Sequence, residues 1–109
     1  RVITTETCDT IADGLATRIP LAENVREIRK LVDEVCLVSE REMLEAIGTL
    51  LFDEHIVAEP AGAAATAAYL QNVTKYAGSN VVLLVTGANI PPEVLSHAVK
   101  LHESDSRQK

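Results

Sequence analysis

The sequence predicts an α/β fold of three layers, with a short parallel β-sheet in β-α-β-α-β-α order and right-handed crossovers. Three observations predict it. Short apolar, β-branched runs recur at 35–38, 55–59 and 81–85, and each leads into a helical pattern. The run Val81 to Val85 is unbroken, as in a strand covered on both faces. Aromatic residues are confined to Phe52, Tyr69 and Tyr76, so the core must be built from Ala, Val, Ile and Leu packed closely.

Residues 1–24 hold no sustained period and are punctuated by Gly14 and Pro20, which predicts irregular structure with a short helix near Thr10 to Ala16. Asn24 then offers an N-cap with Glu27 three residues on, and Val25, Ile28, Leu31 and Val32 share one helical face, so a helix is expected to about Asp33. After V-C-L-V at 35–38, Ser39 and Glu42 repeat the capping pattern. Met43, Leu44, Ile47, Leu50 and Leu51 follow at one-face helical spacing.

The next strand is H-I-V-A-E at 55–59, ended by Pro60. Ala61 to Ala77 carries Lys75 as its only charge, which predicts a nearly buried helix with Gly78 as its C′ residue. Pro91 and Pro92 suit the first turn of a last helix from Glu93 to about His102, before a frayed tail. One domain is expected over 1–109, with a lead-in at 1–24, a body at 25–103 and a tail at 104–109.

Composition narrows the function. Hydrophobic residues make up 47% and charged residues 24%, so the body should fold. A formal net charge of −6 with scattered basic residues argues against nucleic acid or an anionic membrane as partner. No apolar run approaches the ~20 residues that span a bilayer, and the start lacks the basic and apolar regions of a signal peptide. A cytoplasmic location is expected, with Cys8 and Cys36 as ordinary reduced thiols outside any metal-ligand spacing.

In an open parallel sheet, ligands gather beyond the carboxyl ends of strands. That directs attention to three positions, after Val38, at Glu59-Pro60 and at Thr86-Gly87-Ala88-Asn89. Gly87 and Ala88 would let a flat or charged ligand reach the backbone, Thr86 offers a hydroxyl and Asn89 an amide, although an ordinary turn reads the same way. Glu59 either stands at a site mouth or caps the amides of the next helix. Asp13-Gly14 reads as a tight turn, Ser39 as a helix cap, and His55, His97 and His102 as surface or helix-end residues with no metal-pair spacing.

Four segments read together add to this: T-I-A-D-G-L-A at 10–16, R-K-L-V-D-E-V-C-L-V-S-E at 29–40, A-E-P-A-G-A-A-A at 58–65 and V-L-L-V-T-G-A-N-I at 82–90. In this order and spacing the chain resembles the carboxyl-terminal part of the catalytic domain of threonine and serine ammonia-lyases (dehydratases), to which serine racemase is related. Those are pyridoxal-phosphate enzymes of the tryptophan-synthase-β-like fold, so the resemblance implies a partial domain of that kind.

The resemblance implies cofactor-binding roles for six residues. Thr86 takes the place of the family's usual serine or cysteine, whose side chain meets the pyridine nitrogen. Gly87 and Ala88 match the small pair beside the ring, and Asn89 matches the usual asparagine. Gly14 corresponds to the residue whose backbone flanks the cofactor, and Glu59 to a carboxylate near the ring. A neutral hydroxyl on the ring nitrogen makes the ring a weaker electron sink than a carboxylate partner does, which suits β-elimination to a 2-oxo acid.

The family's cofactor-attaching lysine motif and glycine-rich phosphate loop do not occur within these residues. Lys30, Lys75, Lys100 and Lys109 match no such motif, and the five glycines form no cluster. The expectation is a fragment of a threonine/serine dehydratase, inactive alone and binding no pyridoxal phosphate alone, completed by a missing N-terminal half or forming a homodimer. Only a complete enzyme would meet the small amino-acid substrate. The alternative is a free-standing noncatalytic protein derived from such an enzyme, acting by self-association or partner binding.

Overall fold

The computed structural model describes residues 2–107. Helix α1 spans Ala22–Leu31, α2 Glu40–Phe52, α3 Pro60–Gln71 and α4 Pro92–Ser106, with single 3₁₀ turns at Asp13–Leu15 and Val73–Tyr76.

Among the described residues there is no β-strand, and the expected three-layer α/β arrangement with a parallel sheet is thereby overturned. The runs at 35–38, 55–59 and 81–85 form no ladder with one another. One backbone bond joins any two of them or their ends, from the Glu59 N–H to the Gly87 carbonyl at 3.0 Å. The physical reason is that β-branched composition records a fit to a half-buried surface, not the presence of a neighbouring strand. Here the neighbours are lacking: Leu37 is 88% and Val82 85% exposed.

What holds the chain together is helix on helix. Helix α2 is the hub, packing against both α3 and α4. Its buried face comprises Met43, Leu44, Ala46, Ile47, Gly48 and Leu50. Alanines complete the core, with Ala58, Ala63 and Ala98 fully buried and Ile47 the one large side chain sealed off completely among the described residues. Small residues set the approach. A side chain on Gly48 would come within 3.0 Å of His102 Cβ, and the His102 ring stacks on Phe52 with centroids 4.7 Å apart.

The start of α2 follows the sequence pattern. The Ser39 hydroxyl accepts from the Glu42 N–H at 3.3 Å, and the Glu42 carboxylate accepts from the Ser39 N–H at 2.7 Å. The Glu42 carboxylate also accepts from the Ser39 hydroxyl, and these bonds hold its pKa below the ordinary carboxylate value. At the other end His55 adopts φ 57°, and the Ile56 N–H returns to the Leu50 carbonyl at 2.8 Å. This left-handed residue turns the chain toward α3.

Other boundaries shift from the expectation. Helix α1 starts at Ala22, with Leu21 at the N-cap and no side-chain cap, so Asn24 lies inside the helix. Glu27, well inside the helix, closes no capping box and pairs with Lys30 at 2.8 Å. The alanine-rich helix ends at Gln71, where the Asn72 side chain donates to the Ala68 carbonyl. A 3₁₀ turn then carries the chain to Gly78, whose φ of 79° suits a residue without a Cβ. Helix α4 runs on to Ser106.

The radius of gyration, 15.3 Å, exceeds the about 13 Å of a compact domain of this length. Helix α1 explains part of the excess. It has no buried residue, and Leu31 on it is 76% exposed.

Candidate functional site

Three parts of the chain distant in sequence converge at the N-terminus of α3. Glu59 is its N-cap residue, extended at φ −79° and ψ 164°, with Pro60 in the first turn. The Glu59 carbonyl accepts the first intrahelical bond, from the Ala63 N–H at 2.9 Å. Its carboxylate makes no cap bond. It reaches sideways and accepts from the Asn89 backbone N–H at 2.9 Å. Of the two readings open for Glu59, the helix-capping one does not describe its geometry.

Glu59 therefore grips the 86–89 turn twice, through its own N–H to Gly87 and through its carboxylate to Asn89. Gly87 must be glycine for this. A Cβ there would lie 2.5 Å from both the Cδ and Oε1 of Glu59. The turn is tightened further by a bond from the Ile90 N–H to the Ala88 carbonyl at 2.9 Å.

Gly14 comes to the same place from the other side. A Cβ on it would be 3.0 Å from Ala61 Cβ and 3.6 Å from Glu59 Oε1. The 3₁₀ turn Asp13–Leu15 packs on α3, consistent with this approach. Thr86, Ala88 and Asn89 are exposed, Gly87 and Glu59 half-buried. The structure thus gathers Gly14, Glu59, Gly87 and Asn89, with Thr86 and Ala88 on the same turn and open to solvent.

Gly62 is the residue that sequence reasoning missed. A Cβ on it would stand 2.6 Å from the Gly87 carbonyl oxygen and 2.9 Å from its nitrogen. Helix α3 and the 86–89 turn are in backbone contact there. The signal was present in the small residues of P-A-G-A-A-A, but which of them makes the closest approach depends on the helix phase.

The cluster offers one edge of a site. Thr86 and Ala88 face solvent, Thr86 with a neutral hydroxyl, while Gly87 packs against Glu59 and Gly62 and the Glu59 carboxylate accepts from Asn89. Lys30 pairs with Glu27 and Lys75 with Glu34, and among the described residues no lysine bonds to Glu59 or to 86–89. The cavity of about 240 Å³ lined by Glu45, Thr49, Asp53 and His102 shares no residue with the cluster.

Comparison with known proteins bears on what this edge serves. The profile of the pyridoxal-phosphate dependent enzymes matches residues 1–87, a stretch that includes Gly14, Glu59, Thr86 and Gly87. The chain belongs to the pyridoxal-phosphate dependent enzyme family. Within it, the chain is 42% identical over 84 residues to L-threonine dehydratase catabolic TdcB of Staphylococcus aureus strain N315, covering 74% of this chain and 24% of that protein. It is 41% identical over 92 residues to L-threonine ammonia-lyase of Geobacter sulfurreducens, covering 84% and 23%. The corresponding Thermotoga maritima L-threonine ammonia-lyase is 36% identical over 90 residues, covering 83% and 22%. The chain spans about a quarter of the length of these family members. Among the described residues, no helix is long and apolar enough to cross a membrane.

Proposed function

We propose that this chain forms the ring-facing wall of a pyridoxal-phosphate dependent threonine/serine dehydratase, and that alone it carries out no β-elimination. The observation that supports the reading is the double grip of Glu59 on the Gly87–Asn89 turn with Gly14 alongside, because it brings three of the four segments of the family pattern to one edge. The threonine dehydratase and ammonia-lyase names of the relatives support the reaction class.

In the complete enzyme, pyridoxal phosphate supplies the electron sink that makes removal of an α-proton feasible. This chain's residues hold the ring edge. Thr86 would offer its neutral hydroxyl to the ring, Gly87 and Ala88 would let the backbone lie near it, and Glu59 fixes the turn that carries all three. Thr86 differs from serine by a methyl group, which must turn away from the ring for the hydroxyl to reach it.

Cofactor attachment and phosphate binding belong to residues outside this set, so the isolated chain forms no specific reducible adduct with pyridoxal phosphate and deaminates no L-threonine. We place the enzyme in the cytoplasm, where the exposed thiols of Cys8 and Cys36 stay reduced. The test is a segment exchange, putting this chain in place of the matching stretch of the Geobacter sulfurreducens L-threonine ammonia-lyase. The hybrid should retain cofactor and deaminate threonine; a folded hybrid free of cofactor overturns the reading.

A second reading has one observation in its favour. Val35, Leu37, Val82 and Leu84 expose apolar side chains on segments that have no backbone partner among the described residues, as a surface used for self-association or for another chain would. A strictly monomeric mass at high concentration by light scattering counts against it.

A further inference from the structure

We infer that Glu40 is a positioning residue for the candidate site: from the first turn of α2 it fixes the Thr10–Gly14 segment so that Gly14 lies against Glu59 and Ala61. This rests on the reading above for what the Gly14 edge serves, and not for the geometry itself.

The contact is two-pronged. Glu40 Oε1 accepts from the Thr10 hydroxyl at 2.6 Å, and Oε2 accepts from the Ile11 N–H at 3.1 Å. Thr10 Oγ1 in turn accepts from the Ala12 N–H at 3.1 Å. One carboxylate therefore fixes three consecutive residues immediately before the Asp13–Leu15 turn. Charge-assisted bonds of this kind are the stronger class, and two on one carboxylate set direction as well as distance.

Glu40 is well founded for such a role. It follows Ser39, whose capping box locks the first turn of α2, and α2 is the helix on which α3 and α4 both pack. The segment it holds is also anchored by apolar packing, with Ala12 in the core, Ile11 against it and the Asp13–Leu15 turn on α3, so the Glu40 bonds set its direction. Ala12 is the one buried residue between Val2 and Pro20, and the neighbouring cross-chain backbone bond, Thr5 N–H to Arg18 carbonyl at 3.1 Å, lies outside 10–14. Because Gly14 stands 3.0 Å, measured from a built Cβ, from Ala61 at the start of α3, a displacement of 10–14 changes the packing beside Glu59 directly. No feature of S-E-R-E in the sequence marks Glu40 out from the other first-turn acid, Glu42, since both also favour the helix N-terminus.

The test uses amide NMR spectra and hydrogen exchange of the full chain with no cofactor present. In Glu40→Ala, exchange at Ile11 should quicken by about tenfold or more, and the Gly14 and Ala61 resonances should move. Thr10→Val should do the same in smaller measure, whereas Thr10→Ser, which keeps the hydroxyl, should restore the wild-type positions. Glu40→Gln, with one acceptor and one donor to offer, should fall between. Unmoved Gly14 and Ala61 resonances in a folded Glu40→Ala, despite faster exchange at Ile11, would overturn the inference. If Glu40→Ala does not fold, the Thr10→Val and Thr10→Ser pair decides it by the same resonances. Cofactor binding enters no arm, so failure of the cofactor reading, seen in the segment exchange, is separable from failure of the positioning.

Discussion

Glu59 and Asn89 are joined by a carboxylate-to-amide bond of 2.9 Å that closes the N-terminus of α3 onto the turn after residue 85. The carboxylate caps no amide of α3 and is spent on the turn instead. The bond makes a single side chain responsible for the shape of the 86–89 edge.

Removing that carboxylate should free the turn while leaving the helices in place. In Glu59→Ala the Asn89 amide loses its acceptor, and its hydrogen exchange should rise by about fivefold to tenfold. Glu59→Gln keeps an acceptor oxygen and should stay close to wild type. Equal exchange at Asn89 in all three proteins would count against the grip described above.

Glycine substitutions at the two contacting positions should differ in cost. At Gly87 the clash is with the Glu59 side chain, which can rotate away and give up Asn89. At Gly62 the clash at 2.6 Å is with backbone, which cannot. Gly62→Ala should therefore destabilise by about 1–3 kcal/mol, the more costly of the two. Urea denaturation of both variants measures the order, and a milder Gly62→Ala would contradict the close contact.

With so few large side chains sealed in the core, Ile47 should dominate stability. Ile47, 1% exposed, is expected to cost about 2–5 kcal/mol on truncation to alanine, whereas Leu37→Ala should change stability by no more than about 0.5 kcal/mol. Thermal melts followed by circular dichroism compare them. A larger effect at Leu37 would show that its segment is covered in solution.

The capping box predicts a pH dependence of defined sign. Glu42 has its pKa lowered in the folded chain, chiefly by the Ser39 hydroxyl and next by the Ser39 N–H. Its contribution is thus fully present above the ordinary carboxylate pKa, and is lost as pH falls through the lowered value. Ser39→Ala should cost about 1 kcal/mol near neutrality and should flatten the acid side of the stability curve. An unchanged acid limb would contradict the assignment.

Local chemistry was the legible part of this fold. Ser39 with Glu42 and the proline pair at 91–92 act within a few residues and could be read from spacing, whereas Gly78 does not end the alanine-rich helix, which stops at Gln71. Partnership was not legible. The runs at 35–38 and 81–85 have strand composition, but a ladder needs a neighbour that composition cannot supply, and the described residues provide none. Asn24 failed as a cap because the helix begins earlier, at Ala22.

The same division holds at the site. Gly14, Glu59 and the 86–89 turn could be named as candidates from three separate segments. The direction of the Glu59 carboxylate, the backbone contact at Gly62 and the reach of Glu40 to Thr10 could not, because each depends on how elements pack.

The most direct measurement is the absorbance spectrum of the cofactor bound to the segment-exchange enzyme, recorded with Thr86, Thr86→Ser and Thr86→Ala, and with Thr49→Ala in the α2–α4 cavity as a control. The account predicts a cofactor band that shifts in Thr86→Ala, returns with serine and ignores Thr49. A band indifferent to residue 86 in a folded, cofactor-loaded protein would contradict the claim that this turn faces the ring.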